Sequence, residues 1–191
     1  ARWLQLGVFS PLMRTHTEWG SKDQEPWSYG PRFEAINKAS IELRYKLLPY
    51  IYNVMAQASE TGISAMRPLV FEYPEDPRFS RDGTAFLFGD DLLVAPILWP
   101  GTTKRDVRLP KGLWFDYWTG KRYEGGTNTT VEAPIDRIPI LVRAGAIVPA
   151  QQIVQYSDQV PINPLTFIFY PADSSARTYY EDDGHSFAYQ Q

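Results

Sequence analysis

Apolar and polar positions change rhythm three times along this chain. Residues 2 to 13, "RWLQLGVFSPLM", are almost continuously apolar. That is too continuous for a half-exposed strand, and it predicts a strand covered on both faces, as in a parallel sheet. A loop follows over residues 17 to 32, punctuated by Gly20, Pro26, Gly30 and Pro31. From about Pro31 to Thr61 apolar residues recur at Ile36, Ala39, Leu43, Leu47, Tyr50, Val54 and Ala58. Steps of three and four residues put them on one helical face, which predicts a long helix stopped by Gly62. Pro49 lies inside the pattern and predicts a kink near Tyr45, because proline lacks the N–H of the helical ladder.

Beyond Gly62 short apolar runs alternate with turn residues: "PLVFEY", "FLFGDDLLVAPIL", "KRDVRLP", "LWFDYWTG", "TNTTVEAP" and "IPILVRAGAIVPA". Their two-residue rhythm and regular spacing predict an antiparallel β-sandwich. "GDD", "PKG" and "TGK" fit its turns. "LTFIFYPA" and "ARTYYEDDGHSFAY" predict further strands, with "DDG" as a hairpin signal. The order is strand, loop, long helix, then strands only. It implies a mixed fold: the terminal β/α unit of a (β/α)8 TIM barrel, an antiparallel β-sandwich, and the start of a second β-domain. The corresponding ranges are 1–61, 62–150 and 151–191. Both ends look cut, and a piece of a larger protein is expected.

Composition narrows the chemistry. A net charge of −3 leaves no basic footprint for nucleic acid. No apolar run reaches the ~18 residues of a membrane-spanning helix. The absence of cysteine excludes disulfides and thiolate zinc sites. There is no G-x-S-x-G elbow, phosphate-binding glycine loop, H-E-x-x-H or dinucleotide fingerprint, and no metal or cofactor is expected.

The sharpest candidate is the end of the first run, "FSPLMRTHTEW", where Arg14 and His16 follow the last apolar residue. In a barrel, functional residues sit at the C-terminal ends of strands. In an extended chain Arg14 and His16 share a side. A neutral imidazole donates one hydrogen bond and accepts one, which suits a polyol, and arginine suits a nearby carboxylate. A strand-end pair satisfied by backbone groups is the commoner use of such residues. Trp19, Trp27 and Tyr29 could stack on sugar rings or simply pack the loop. "YYEDDGHSF" lacks calcium-loop spacing, so Asp182, Asp183 and His185 read as a hairpin rather than a metal site. In "LWFDYWTG", alternation sets Trp114, Asp116 and Trp118 on one face and Phe115 and Tyr117 on the other, with core packing favoured over a sugar-binding strip. Asn128-Thr129-Thr130 is a glycosylation triplet of a kind that arises often by chance. No pair of carboxylates spaced for glycoside hydrolysis is visible in residues 1 to 16.

Eight stretches, in order, resemble the C-terminal part of glycoside hydrolase family 31, the α-glucosidase family. They are "RWLQLGVFSPLMRTH", "EPWSYG", "LRYKLLPYIY", "TGISAMRPLVFEYPEDP", "FLFGDDLLVAPIL", "LPKGLWFDYWTG", "APIDRIPILVRAGAIVP" and "YYEDDG". The resemblance implies the eighth barrel strand at about Leu4 to Leu12, its helix, a proximal C-terminal sandwich and the start of a distal one. It implies retaining hydrolysis of a terminal α-glycosidic bond in an oligosaccharide or α-glucoside. α-Xylosidase, α-galactosidase and transglucosidase activities are alternatives within the family, and a non-catalytic carbohydrate-binding sandwich is the alternative outside it. The family's nucleophile motif, tryptophan-x-aspartate-methionine-asparagine-glutamate, has no counterpart here. Both catalytic aspartates are therefore expected upstream, on the catalytic-barrel segment of the same protein, and no residue of this chain is a catalytic acid or nucleophile. By resemblance, His16 matches the histidine that binds the sugar in subsite −1, and Arg14 the arginine near the nucleophile. Met13 and Ser10 stand where many members carry Phe and often Tyr, which bears on fine specificity.

Overall fold

The structure, a computed structural model, describes residues 1–157 and 159–188. The end of the strand-like stretch expected at the C-terminus, residues 189–191, lies outside the described residues.

The first element is a helix, α1 (Arg2–Gly7), and not the strand expected from Leu4 to Leu12. The run is apolar but contains no β-branched residue before Val8, and Arg, Leu and Gln are good helix formers. Its polar members also have helical spacing: Arg2 and Gln5 both reach loop carbonyls of the β-region. The long helix is present in two pieces, α2 (Pro31–Lys46) and α3 (Leu48–Thr61). Pro49 lies in the first turn of α3, so the expected kink is a break at Leu47, where a missing N–H costs nothing. Gly62 ends α3 in the left-handed conformation at φ 74°.

Strands then dominate. β1 (Met66–Pro68), β2 (Phe86–Phe88), β3 (Leu92–Val94), β5 (Leu113–Asp116), β6 (Arg122–Glu124) and β8 (Ile140–Arg143) form a six-stranded sheet in the order β1-β2-β3-β8-β5-β6. β4 (Lys104–Arg108) pairs with β7 (Asn128–Glu132), and β9 (Ile147–Ala150) with β10 (Thr166–Phe169). All of these pairings are antiparallel. β10 thus pairs across the boundary expected at 150/151. "PLVFEY" is not one strand: after β1 it turns into the short helix α4 (Leu69–Glu72), which buries Leu69 and exposes Phe71.

Alternation along the central strands builds two cores. Phe88, Leu92, Val94, Phe115, Ile140 and Val142 face α2 and α3. The intervening Leu87, Leu93, Trp114 and Leu141 face the β4–β7 pair, meeting Val107 and Val131. A one-residue slip of β3 against β8 would exchange the two sets, so burial on both faces fixes the register. Trp118 leaves its expected face, because Asp116 ends β5 and accepts hydrogen bonds from the amides of Trp118 and Thr119, turning the chain. The indole N–H of Trp118 donates to the Ile138 carbonyl at 2.8 Å.

"DDG" does not close a hairpin. Gly184 has φ 69°, but among the described residues no strand lies between 175 and 188. The segment is held by side chains of α3 instead. Asn53 accepts from the Tyr180 amide at 2.6 Å and donates to its carbonyl at 3.1 Å, and the Tyr52 hydroxyl donates to Asp182 at 2.7 Å. Arg177 pairs with Asp91 and lies over the Tyr50 ring, 4.9 Å from its centroid.

Candidate functional site

The segment that carries Arg14 and His16 leaves α1 through two tight turns, Phe9 N–H to the Leu6 carbonyl at 3.0 Å and Ser10 N–H to the Gly7 carbonyl at 3.1 Å. Val8 and Phe9 are buried, and Phe9 meets Phe88 edge to face at 5.8 Å. The last carbonyls of a helix have no partner within it. Those of Leu4, Leu6 and Gly7 accept from the amides of Val8, Phe9 and Ser10, and the carbonyls of the turn that follows are taken chiefly by Arg44, in the last turn of α2. Its Nη1 donates to the carbonyls of Val8 at 2.7 Å, Ser10 at 2.6 Å and Gly7 at 3.5 Å, and its Nη2 to that of Pro11 at 3.1 Å. At the other end of α1, Arg2 donates to the carbonyls of Ala133, Arg137, Pro134 and Thr102. Burial lowers the pKa of both arginines; the neighbouring charge of Asp136 opposes that at Arg2. Neither arginine loses its charge in the ordinary pH range.

From this anchored turn the chain runs out irregularly through Met13 to His16. Arg14 and His16 are brought together, with Arg14 Nη2 3.0 Å from His16 Nδ1, and both are exposed. A guanidinium can only donate, so Nδ1 must accept, and the imidazole proton sits on Nε2. The pair therefore presents an N–H donor at Nε2. It lines a cleft of about 430 Å³ with Trp3, Leu12, Met13 and Tyr29. No Asp or Glu lines that cleft, so among the described residues it holds no carboxyl acid, base or nucleophile. No cluster of three or more His, Cys, Asp or Glu suited to a metal is found among the described residues.

The chain matches two family models in succession. Residues 1–54 match the TIM-barrel domain of glycosyl hydrolases family 31, and residues 62–148 match the family 31 C-terminal domain. The chain belongs to glycoside hydrolase family 31. Its family 31 relatives include alpha-glucosidase 2 of Bacillus thermoamyloliquefaciens, 42% identical over 100% of this chain and 24% of that protein. A family 31 dextranase from Flavobacterium johnsoniae, solved with glucose, superposes with a TM-score of 0.94 at 42% identity, over 99% of this chain and 24% of that one. A family 31 alpha-xylosidase from Xanthomonas citri gives a TM-score of 0.91 at 38% identity, over 99% of this chain and 21% of that one. The chain spans about a quarter of the length of these relatives.

The barrel end expected for a family 31 chain is present, but the route to the site differs. Arg14 and His16 follow a helix and an anchored turn, and not a strand end. Arg2, Gln5 and Arg44, which hold that route, carried no readable motif; the signal for Arg2 and Gln5 was their three-residue spacing. Trp19 is fully exposed, Trp27 largely so and Tyr29 a little under half; Lys22 lies 5.4 Å from the Tyr29 ring centroid. Trp114 and Phe115 are core residues. Asp182 serves as acceptor for the hydroxyls of Tyr52 and Tyr180, a use that keeps it charged and lowers its pKa.

Proposed function

We propose that this chain is the C-terminal part of a retaining, exo-acting α-glycosidase, most simply an α-glucosidase releasing terminal α-linked glucose from oligosaccharides. Membership of family 31 is the observation that carries this reading. The pairing of Arg14 with His16 at an open cleft supports the site. The two catalytic carboxyl groups, which retaining chemistry needs ~5–5.5 Å apart, come from the upstream barrel segment. That segment is the partner of the exposed apolar surface around Trp3 and Leu12.

In this mechanism His16 donates from Nε2 to a hydroxyl of the sugar in subsite −1. The bond tightens as the ring flattens and charge develops at the anomeric carbon, so its value falls mainly on the transition state. Arg14 holds the imidazole in the donor tautomer through Nδ1 and turns its remaining N–H groups toward the nucleophile carboxylate, which a neighbouring cation keeps ionised. Transfer to a sugar acceptor in place of water uses the same contacts, and a 1,6-alpha-glucosyltransferase of Sporosarcina globispora is 34% identical over this chain.

The test is steady-state hydrolysis of an aryl α-glucoside by the complete protein. His16→Ala should lower kcat/KM by about 10²-fold, as expected for loss of one transition-state donor. Wild-type kinetics would remove His16 from the site. Binding of maltose by the isolated chain at micromolar concentration would favour the non-catalytic sandwich instead.

A further inference from the structure

We propose that Arg44 is a positioning residue for the sugar-binding pair, acting at a distance through the backbone it holds. The proposal rests on the role given above to His16 and Arg14.

Three observations carry it. First, Arg44 aims its guanidinium at four acceptors on one short stretch, the carbonyls of Gly7, Val8, Ser10 and Pro11. Among the described residues it pairs with no carboxylate, so its donors are committed to fixing this turn. Second, the held stretch ends at Pro11, three residues before Arg14, and from there to Gly30 the chain is in no helix or strand. Nothing else on α2 or α3 is seen to bond the backbone between residues 7 and 11. Third, the arrangement needs an arginine. A planar fork reaches several carbonyls at once, whereas an ammonium is one compact centre on a flexible stem. A half-buried cation surrounded by carbonyls also carries a desolvation cost, and that burial lowers its pKa.

The consequence is kinetic. A donor displaced by about 1 Å can cost as much as 10²-fold in rate. Arg44→Met should therefore lower kcat/KM of the complete protein toward an aryl α-glucoside by roughly 10- to 100-fold, with most of the loss in kcat. Because Arg44 acts through His16, the two losses should not add. In a His16→Ala background, Arg44→Met should cost no more than about threefold further. Arg44→Lys, which keeps the cation in place, should fold and melt within a few degrees of the wild type and fall between wild type and Arg44→Met in kcat. A loss that persists in full in the His16→Ala background would make Arg44 a general structural residue and overturn the proposal. So would wild-type kcat in Arg44→Met. A silent His16→Ala beside a damaging Arg44→Met would locate the failure in the reading of His16 itself.

Discussion

Gly89 offers a quantitative test of how the helices are locked to the sheet. It opens the turn between β2 and β3 with φ 62°, and its N–H donates to the Ala65 carbonyl at 2.9 Å. A Cβ placed there would lie 2.5 Å from Val54 Cγ2 and 2.6 Å from the Tyr50 hydroxyl. That hydroxyl donates to the Phe88 carbonyl at 2.8 Å and accepts from the Asp91 amide at 3.3 Å, so it is not free to move aside. Gly89→Ala then meets three costs. The left-handed conformation costs a residue with a Cβ about 1–2 kcal/mol. Overpacking a tight core adds about 1–3 kcal/mol. Displacing the tyrosine hydrogen bond adds about 1 kcal/mol. The clash and the displaced hydrogen bond overlap, so a local loss of about 3 kcal/mol is expected, or roughly a hundredfold in an opening equilibrium. Hydrogen exchange on the complete protein should show the amides of residues 50–54 and 86–92 exchanging about a hundredfold faster. Gly83 is the control, since it has no positive φ and nothing within 4 Å of its would-be Cβ. Gly83→Ala should leave those amides unchanged. Equal exchange in the two variants would refute the claim that α3 and the β2–β3 turn are in contact as described.

Arg2→Ala should loosen α1, because four loop carbonyls lose their donor; the half-buried setting admits some water, so about 1–2 kcal/mol is expected, read as faster exchange over residues 4 to 9. Unchanged exchange there would deny Arg2 its anchoring role. Asp183 accepts from the Ser186 hydroxyl and from the amides of Ser186 and His185, and these bonds lower its pKa to about 2. A depressed carboxylate stabilises the fold above its ordinary pKa of about 4 and ceases to as the pH falls through the folded value. The turn over residues 183–186 should therefore stay protected at pH 4 and open as the pH approaches 2. Opening already complete at pH 4 would contradict it.

The sequence was most legible where both faces of an element meet a core. The rhythm after Gly62 located β2, β3, β5 and β8, and of the expected helical face Ile36, Leu43, Leu47, Tyr50 and Val54 are buried on both sides of the break at Leu47, while Ala39 is exposed. Family resemblance supplied what periodicity could not: a complete constellation was never visible in the residues themselves. The misreadings have a common physical cause. "RWLQLGVF" and "PLVFEY" are short apolar stretches in which a helix turn and a strand bury similar surface, and tertiary contacts decide between them. For α1 those contacts are Arg2 and Gln5 on distant loop carbonyls. The "DDG" triplet predicts a hairpin, but a turn signal reports the bend and not the partner. Here the bend leads to a segment pinned by Asn53 and Tyr52. Arg44 illustrates the deepest limit. A basic residue in the last turn of a helix is ordinary, and only the fold brings it against the carbonyls of residues 7 to 11.

The central claim is that this chain lends a sugar-binding donor to carboxylates it does not itself carry. A crystal structure of the complete protein with glucose bound tests it most directly. His16 Nε2 should lie within about 2.6–3.2 Å of a glucose hydroxyl, with Nδ1 still facing the Arg14 guanidinium, and two carboxyl groups from upstream residues should flank the anomeric carbon. Glucose bound with His16 turned away and no hydrogen bond from its Nε2 would contradict it.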